Sequence, residues 1–132
     1  MKIGLDYGGV ISFDPDRWGA AIRQAMSWGH EIFLISHAQP GEDMERRSEF
    51  CRNTGAKNLS FSDLRSGEQE GQIAKRKAEL CNEHGIEIFI DDDLHRVRAV
   101  GEGCPNTAAF YIPQSVWQIG LRIINDLDAG PS

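Results

Sequence analysis

Long hydrophobic runs are the clearest absence in this sequence, which has no apolar stretch near the ~20 residues needed to cross a bilayer. The N-terminus also shows no signal-peptide pattern. The three cysteines (Cys51, Cys81, Cys104) are an odd number without C-x-x-C spacing, and the four histidines show no zinc-like spacing. These absences argue against a transmembrane helix, a disulfide scaffold and a zinc finger, and they favour free thiols in a reducing compartment. We therefore expect a cytoplasmic protein without membrane partners.

Basic residues are also scarce, since the chain has 14 lysines and arginines against 20 aspartates and glutamates, which gives a net charge of −6. An acidic surface repels polyanions, so nucleic-acid binding is disfavoured. The short basic clusters, such as Arg46-Arg47, are explained by solvated helix faces. A length of 132 residues with 40% hydrophobic content predicts one soluble domain over residues 1–132, with 129–132 as a flexible tail.

Five short apolar segments alternate with helical patterns along the chain. They are predicted as strands over residues 2–6, 31–36, 58–61, 86–90 and 107–112. Strands separated by helices imply right-handed βαβ units. The pattern therefore predicts a three-layer α/β Rossmann-like fold, with a mainly parallel five-stranded sheet, helices on both faces and no cap domain.

Capping signals mark the helix boundaries. Asp14 followed by Pro15 predicts the start of the first helix, and glycines at 29, 55 and 85 predict the ends of the first three. A short helix is predicted over Leu94 to Val100, and Ser62 to Gly71 reads as a loop. Ser115 is predicted to cap a last amphipathic helix. The apolar face of this helix could pack in the core or against a second copy of the chain. It contains Val116, Ile119, Ile123, Ile124 and Leu127.

Polar residues follow three of the predicted strands at the point where each strand ends. They are Asp6, Ser36 and the run Asp91 to Asp93. In open parallel sheets, ligands bind at the carboxyl ends of the strands. Carboxylates crowded at that edge repel one another unless a cation lies between them. This pattern predicts a Mg²⁺ site and, with it, chemistry on a phosphate.

The order of these motifs resembles the haloacid dehalogenase-like (HAD) superfamily of phosphatases and related hydrolases, over nearly the whole chain. The family pattern is a strand ending in D-x-D-G-[TV], a Ser or Thr ending the second strand, a helical Lys, and a strand ending in paired acids. Here the corresponding residues are Asp6-Tyr-Gly-Gly-Val10, Ser36, Lys77 and Asp91-Asp92.

The resemblance implies a role for each of these residues. Asp6 would be the nucleophile that forms an aspartyl-phosphate, and Ser36 would donate a hydrogen bond to a phosphate oxygen. Lys77 would neutralise the carboxylates and bind the phosphoryl group. Mg²⁺ would be held by Asp6, the backbone carbonyl of Gly8 and Asp92, with Asp91 as a partner of its waters.

Helical spacing independently favours Lys77 over its neighbour Lys75. Lys77 lies four residues after Ile73 and four before Cys81, so it shares their sheet-facing stripe. Lys75 lies about 160° away around the helix and should face water.

One family position departs from the pattern. The second Asp of D-x-D protonates the leaving group in the family, but Gly8 stands there, and general acid–base help is worth ~10²–10⁴-fold in rate. Asp14 or His37 could replace it, or the substrate could carry a good leaving group such as an acyl phosphate. Alternatively, catalysis is lost and a module that binds phosphate, metal or a protein remains. Without a cap, the site would admit phosphorylated substrates of any size.

Overall fold

The computed structural model describes residues 1–62 and 69–113 of the chain. Five strands form one sheet in the order β3-β2-β1-β4-β5, and every neighbouring pair is parallel. The strands are β1 (Lys2–Leu5), β2 (Glu31–Leu34), β3 (Lys57–Asn58), β4 (Ile88–Asp91) and β5 (Ala108–Tyr111). This arrangement confirms the predicted small α/β Rossmann-like fold.

Within the described residues, four α-helices connect the strands. They are α1 (Pro15–Ser27), α2 (Glu42–Thr54), α3 (Gln69–His84) and α4 (Leu94–Gly103). α1 packs with α2, and α3 packs with α4, on opposite faces of the sheet. The first three strands are added towards one edge of the sheet, and β4 and β5 are added towards the other edge. Because strand–helix–strand crossovers between parallel strands are almost always right-handed, the helices change from one face of the sheet to the other where this direction changes.

The two faces of the sheet bury separate hydrophobic clusters. Consecutive β2 residues alternate between them, with Phe33 in one cluster and Leu34 in the other. Covering both faces explains the nearly continuous apolar run of this strand. The cluster under α1 and α2 contains Leu5, Ile22, Ile32, Leu34 and Cys51, and the cluster under α3 and α4 contains Phe33, Ile73, Leu80, Phe89 and Val100.

Most helix boundaries follow the predicted caps. The Asp14 carboxylate accepts a hydrogen bond from the Arg17 backbone N–H at 3.2 Å, directly before Pro15. Gly55 ends α2 in the left-handed conformation, with φ 86°. Two boundaries were wrong, because α3 begins at Gln69 inside the predicted loop and α4 continues to Gly103. A single helical glycine costs only about 1 kcal/mol, so Gly71 does not stop α3.

The strands are shorter than predicted on the β3 side. β3 covers two residues, and the Asn58 side chain then accepts a hydrogen bond from the Ser60 N–H at 3.0 Å. That local turn competes with the strand ladder and ends it. Phe61 nevertheless pairs with His37 through an isolated bridge, which extends the sheet edge beyond Ser36.

No separate domain interrupts the described chain near the carboxyl ends of the strands. Residues 6–14 join β1 to α1 through a 3₁₀ turn at Ile11–Phe13, and residues 59–68 join β3 to α3. Both connections are too short for an inserted domain. The predicted last helix and the tail 129–132 lie outside the described residues, as does most of the predicted loop at 62–71. In the part of the chain that is described, no helix combines the length and apolar character needed to cross a membrane.

Candidate functional site

The candidate site lies at the carboxyl ends of β1 and β4. These strands are adjacent, with Leu5 opposite Ile90, so the register brings Asp6 beside Asp91. The backbone N–H of Asp6 donates to the Ile90 carbonyl at 3.1 Å. The connections from β1 and β4 leave towards opposite faces of the sheet, which opens a crevice at this switch point.

Three carboxylates converge in that crevice. Asp6, Asp91 and Asp92 each present an oxygen atom, and these oxygens all lie within 4.8 Å of one another. Asp6 and Asp91 are buried, whereas Asp92 is half-buried. The structure therefore brings together the three acids that the sequence predicted as metal ligands.

Lys77 reaches this cluster from α3. Its Nζ donates to Asp6 Oδ1 at 2.9 Å and to Asp91 Oδ2 at 2.7 Å, and the side chain is fully buried. Lys75 is exposed, as the helical spacing predicted. The predicted lysine thus joins the strand-end acids, although 71 positions separate it from Asp6 along the chain.

Negative charge exceeds positive charge in the cluster. Three carboxylates meet one Lys77 ammonium, and Arg96 adds a second cation at 3.9 Å from Asp6 Oδ2. Burial raises the pKa of Asp91 to about 7, against the opposing effect of Lys77 and with a further rise from the Asp6 charge. The Lys77 charge therefore does not fully offset the cost of burying the Asp91 carboxylate.

One oxygen of the cluster has no hydrogen-bond donor. Asp6 is 2% exposed, and among the described residues nothing donates a hydrogen bond to its Oδ2 atom. Buried acceptors are nearly always paired, so an orphan oxygen points to a missing ligand. Together with the two neighbouring carboxylates, it forms the hard oxygen set that suits Mg²⁺. The residues present therefore fit the predicted cation.

The three consecutive acids at the end of β4 have different contacts. Asp93 caps α4, where its carboxylate accepts from the backbone N–H groups of His95 at 2.9 Å and Arg96 at 3.3 Å. Asp91 Oδ1 accepts from the Asp93 N–H at 3.0 Å. One acid satisfies the helix cap, so Asp91 and Asp92 face the crevice for another reason.

The turn after Asp6 depends on a glycine that the sequence did not single out. Gly9 has φ 78°, and a Cβ built on it would lie 1.9 Å from Asp92 Oδ2. Only a residue without a side chain lets the Asp92 carboxylate approach this turn. Gly8 is exposed and a Cβ there would meet nothing within 4 Å. The role of the Gly8 carbonyl as a metal ligand stays a prediction.

Ser36 lies at the same edge of the sheet and is 1% exposed. Its Oγ accepts a hydrogen bond from Arg47 Nε at 3.0 Å. Sequence analysis assigned Arg46-Arg47 to a solvated helix face, which was wrong for Arg47, because this residue is buried in α2. The available signal was an arginine on an otherwise apolar helical stripe.

The two candidates for the missing acid differ in their surroundings. Asp14 is engaged in the α1 cap and forms an ion pair with Arg17 at 3.4 Å. His37 is half-buried, and its pKa is lowered by burial and then by the charges of Arg96, Lys77 and Arg47. His37 therefore faces the same cations as the carboxylate cluster, in its neutral form near pH 7.

Comparison with known proteins identifies the fold. No family model matches the chain, and no curated protein does. Among solved structures, it is similar to a crystal structure of an uncharacterized protein from Corynebacterium glutamicum ATCC 13032 Kitasato. The TM-score is 0.63 at 20% identity, and the match covers 94% of this chain and 92% of that chain. A likeness at this identity speaks for the fold alone.

Proposed function

We propose that this protein is a Mg²⁺-dependent phosphohydrolase of the haloacid dehalogenase-like type. The observation that carries the proposal is the buried Asp6 Oδ2, which accepts no hydrogen bond from residues 1–62 or 69–113, in a carboxylate whose other oxygen is held by Lys77. A carboxylate that is fixed on one side is suited to nucleophilic attack.

The reaction proceeds in two displacements at phosphorus. In the first, an Asp6 carboxylate oxygen forms a bond to phosphorus, and the leaving-group oxygen departs with the electron pair of the broken P–O bond. In the second, water attacks the aspartyl-phosphate, loses a proton to solvent or a nearby base, and releases inorganic phosphate while Asp6 is regenerated.

The neighbouring residues position and neutralise the phosphoryl group. Asp6, Asp92 and the Gly8 carbonyl would hold Mg²⁺, with Asp91 as a partner of its waters, and the ion would neutralise charge on the phosphoryl oxygens when bound. Lys77 stays against Asp6 and Asp91 and balances part of their charge. Ser36 donates its hydroxyl proton to a nonbridging phosphate oxygen.

Gly8 favours substrates that release their leaving group without help from an acid. His37 is neutral near pH 7 because its pKa is lowered, so it is better suited to accept a proton from water than to donate one. Acyl phosphates and similar activated phosphates need little protonation of the leaving group. We propose such a phosphorylated compound as the substrate class, in a cytoplasmic setting that suits the three buried free thiols.

Hydrolysis of acetyl phosphate and p-nitrophenyl phosphate with Mg²⁺ tests the proposal. We expect turnover by the natural protein and a loss of about 10³-fold or more for Asp6→Asn. Glu31→Gln is the matched control, because it also neutralises one carboxylate but at an exposed ion pair with Lys57. Inactivity across a broad panel of phosphate esters and anhydrides would rule the proposal out.

A second candidate is a catalytically silent domain that binds phosphate, metal or a protein partner, and Gly8 is the observation that favours it. A Cβ added at Gly8 would meet nothing within 4 Å, so Gly8→Asp introduces an acid there without a clash at its Cβ. If the natural protein is inactive and Gly8→Asp is active, the natural protein is a binder. For a hydrolase, we expect the substitution to raise turnover of poor leaving groups by about 10²–10⁴-fold.

A further inference from the structure

Arg47 is buried although it lies on a surface helix. Its residue exposure is 6%, whereas the Arg52 side chain, five positions further along α2, is 63% exposed. Burying a guanidinium is unfavourable unless its donors are paired. The contacts that compensate this burial involve Asp43 in the first turn of the same helix and residues at the carboxyl ends of β1 and β2.

The guanidinium joins three segments of the chain. Its Nη1 donates to the Asp43 carboxylate and carbonyl, both at 2.9 Å, and its plane lies over the Tyr7 ring at 4.7 Å. Asp43 also accepts from the Gln39 N–H at 3.1 Å, which ties down the loop after β2. Tyr7 directly follows Asp6, so Arg47 connects the nucleophile's strand end to that of Ser36.

The contact between Arg47 and Ser36 determines what the serine hydroxyl can do. Arg47 Nε occupies an acceptor position of Ser36 Oγ at 3.0 Å, and the guanidinium has no lone pair to accept a proton in return. The hydroxyl donates to the His37 carbonyl at 3.4 Å, which is long for an O–H···O bond. The hydroxyl proton is therefore available to a stronger acceptor at the site.

We infer that Arg47 is a positioning residue, which orients and polarises the Ser36 hydroxyl so that it donates to a phosphoryl oxygen. This inference rests on the proposed function. A cation that donates into the hydroxyl oxygen makes the O–H a stronger donor, since chains of hydrogen bonds polarise one another. Arg47 acts on the bound anion through Ser36, and its contacts with Asp43 and Tyr7 hold it in place.

A purely structural role makes a different prediction. If Arg47 only anchors the loop after β2, replacing it would lower stability, and any effect on anion binding would persist without the Ser36 hydroxyl. If Arg47 acts through Ser36, its effect on anion affinity would vanish in the Ser36→Ala background. A double-mutant cycle separates these cases because it isolates the coupling between the two residues.

Calorimetric titration of the Mg²⁺-loaded protein with inorganic phosphate measures this coupling. We expect Ser36→Ala and Arg47→Gln each to weaken phosphate binding by about tenfold, as for loss or weakening of a hydrogen bond to a charged group. The double variant should bind no more weakly than Ser36→Ala alone. Arg52→Gln is the matched control, since its exposed ion pair with Glu45 lies on the same helix, and it should bind like the natural protein.

Two results would overturn the inference. One is natural affinity in a folded Arg47→Gln variant, and the other is a double variant weakened by about a hundredfold, the product of the single effects. Arg47 Nη2 also donates to the His37 carbonyl at 3.4 Å. If Arg47→Gln does not fold, Arg47→Lys replaces it, because one ammonium cannot serve Ser36, Asp43 and this carbonyl together. Failure of phosphate binding at this site would look different, since the natural protein and all variants would then bind no phosphate. Failure of hydrolysis alone would appear as phosphate binding by the natural protein without turnover, as expected for the silent binding domain.

Discussion

The two ends of the sheet differ in how deeply their ion pairs are buried. At the carboxyl end, the ion pair of Lys77 with Asp91 is fully buried at 2.7 Å. At the amino end, Lys57 and Glu31 pair at 3.5 Å with side chains 58% and 45% exposed. Exposed pairs add little stability, and buried pairs often add no more than an apolar core would. The buried charges at the carboxyl end are therefore explained by ligand chemistry better than by folding.

The amino end of the sheet also has open volume. A cleft of about 630 Å³ lies at the amino end, lined by residues that include Lys2, Glu31, Lys57 and Glu83. Its charges are of both signs, and Lys57 already pairs with Glu31 there. We place the function at the carboxyl end, because buried and incompletely paired charge is a more specific sign of chemistry than cavity size.

The largest expected effect is the difference in stability between removing the lysine at the carboxyl end and removing the lysine at the amino end. Lys77→Met leaves Asp6 and Asp91 buried without their main counter-charge, so we expect the free energy of unfolding to fall by about 3–5 kcal/mol. Lys57→Met should change it by no more than about 0.5 kcal/mol. Chemical denaturation of both variants measures the difference.

Adding Asp91→Asn to Lys77→Met should recover part of the loss, because it removes one uncompensated buried charge. Equal losses for Lys57→Met and Lys77→Met would break the contrast between the two ends of the sheet.

A smaller effect is expected within the carboxyl end itself, between two adjacent glycines. Gly9→Ala should cost about 1–2 kcal/mol for the left-handed backbone alone. It should also displace the Asp92 carboxylate and abolish the rise in melting temperature that we expect Mg²⁺ to produce in the natural protein. Gly8→Ala should change stability by about 0.5 kcal/mol at most and keep that response. Thermal unfolding with and without Mg²⁺ distinguishes them, and a normal Mg²⁺ response in Gly9→Ala would contradict the assigned contact.

The smallest effect concerns His37. Its pKa lies below the ordinary value of 6.5, because burial and the charges of Arg96, Lys77 and Arg47 disfavour the protonated ring. The unfolded chain takes up this proton near pH 6.5 and the folded chain only at lower pH, so the free energy of unfolding falls as pH drops below 6.5. We expect a shallower fall in His37→Gln. An NMR titration midpoint for His37 at or above 6.5 would contradict this.

Much of the fold was predictable because its signals are local. Alternating apolar and amphipathic segments predicted five strands, and the Asp14 cap and Gly55 stop were read correctly from neighbouring residues. The short β3 and the early start of α3 were missed. The end of β3 depends on competition between a local turn and pairing with the neighbouring strand. The start of α3 depends on whether helix-forming residues outweigh a single glycine. No sequence pattern resolves such small differences in free energy.

The candidate site was predictable in part. Asp6, Ser36, Lys77, Asp91 and Asp92 were identified because strand-end acids and a lysine on an apolar stripe are visible in the sequence. Arg47 and Gly9 were missed. Their importance arises from contacts with Ser36 and Asp92 that no spacing along the chain encodes.

The sequence by itself determined the residue types, the alternation of elements and the strand ends at which polar side chains collect. These properties depend on periodicity and capping within a few residues. Only the tertiary structure decided that Lys77 meets Asp6 across 71 positions, that Asp92 rests against Gly9 and that Arg47 holds Ser36. Such contacts require the parallel register of β1 and β4 and the packing of α2 and α3 on opposite faces, because burial and distance exist only once the chain has folded.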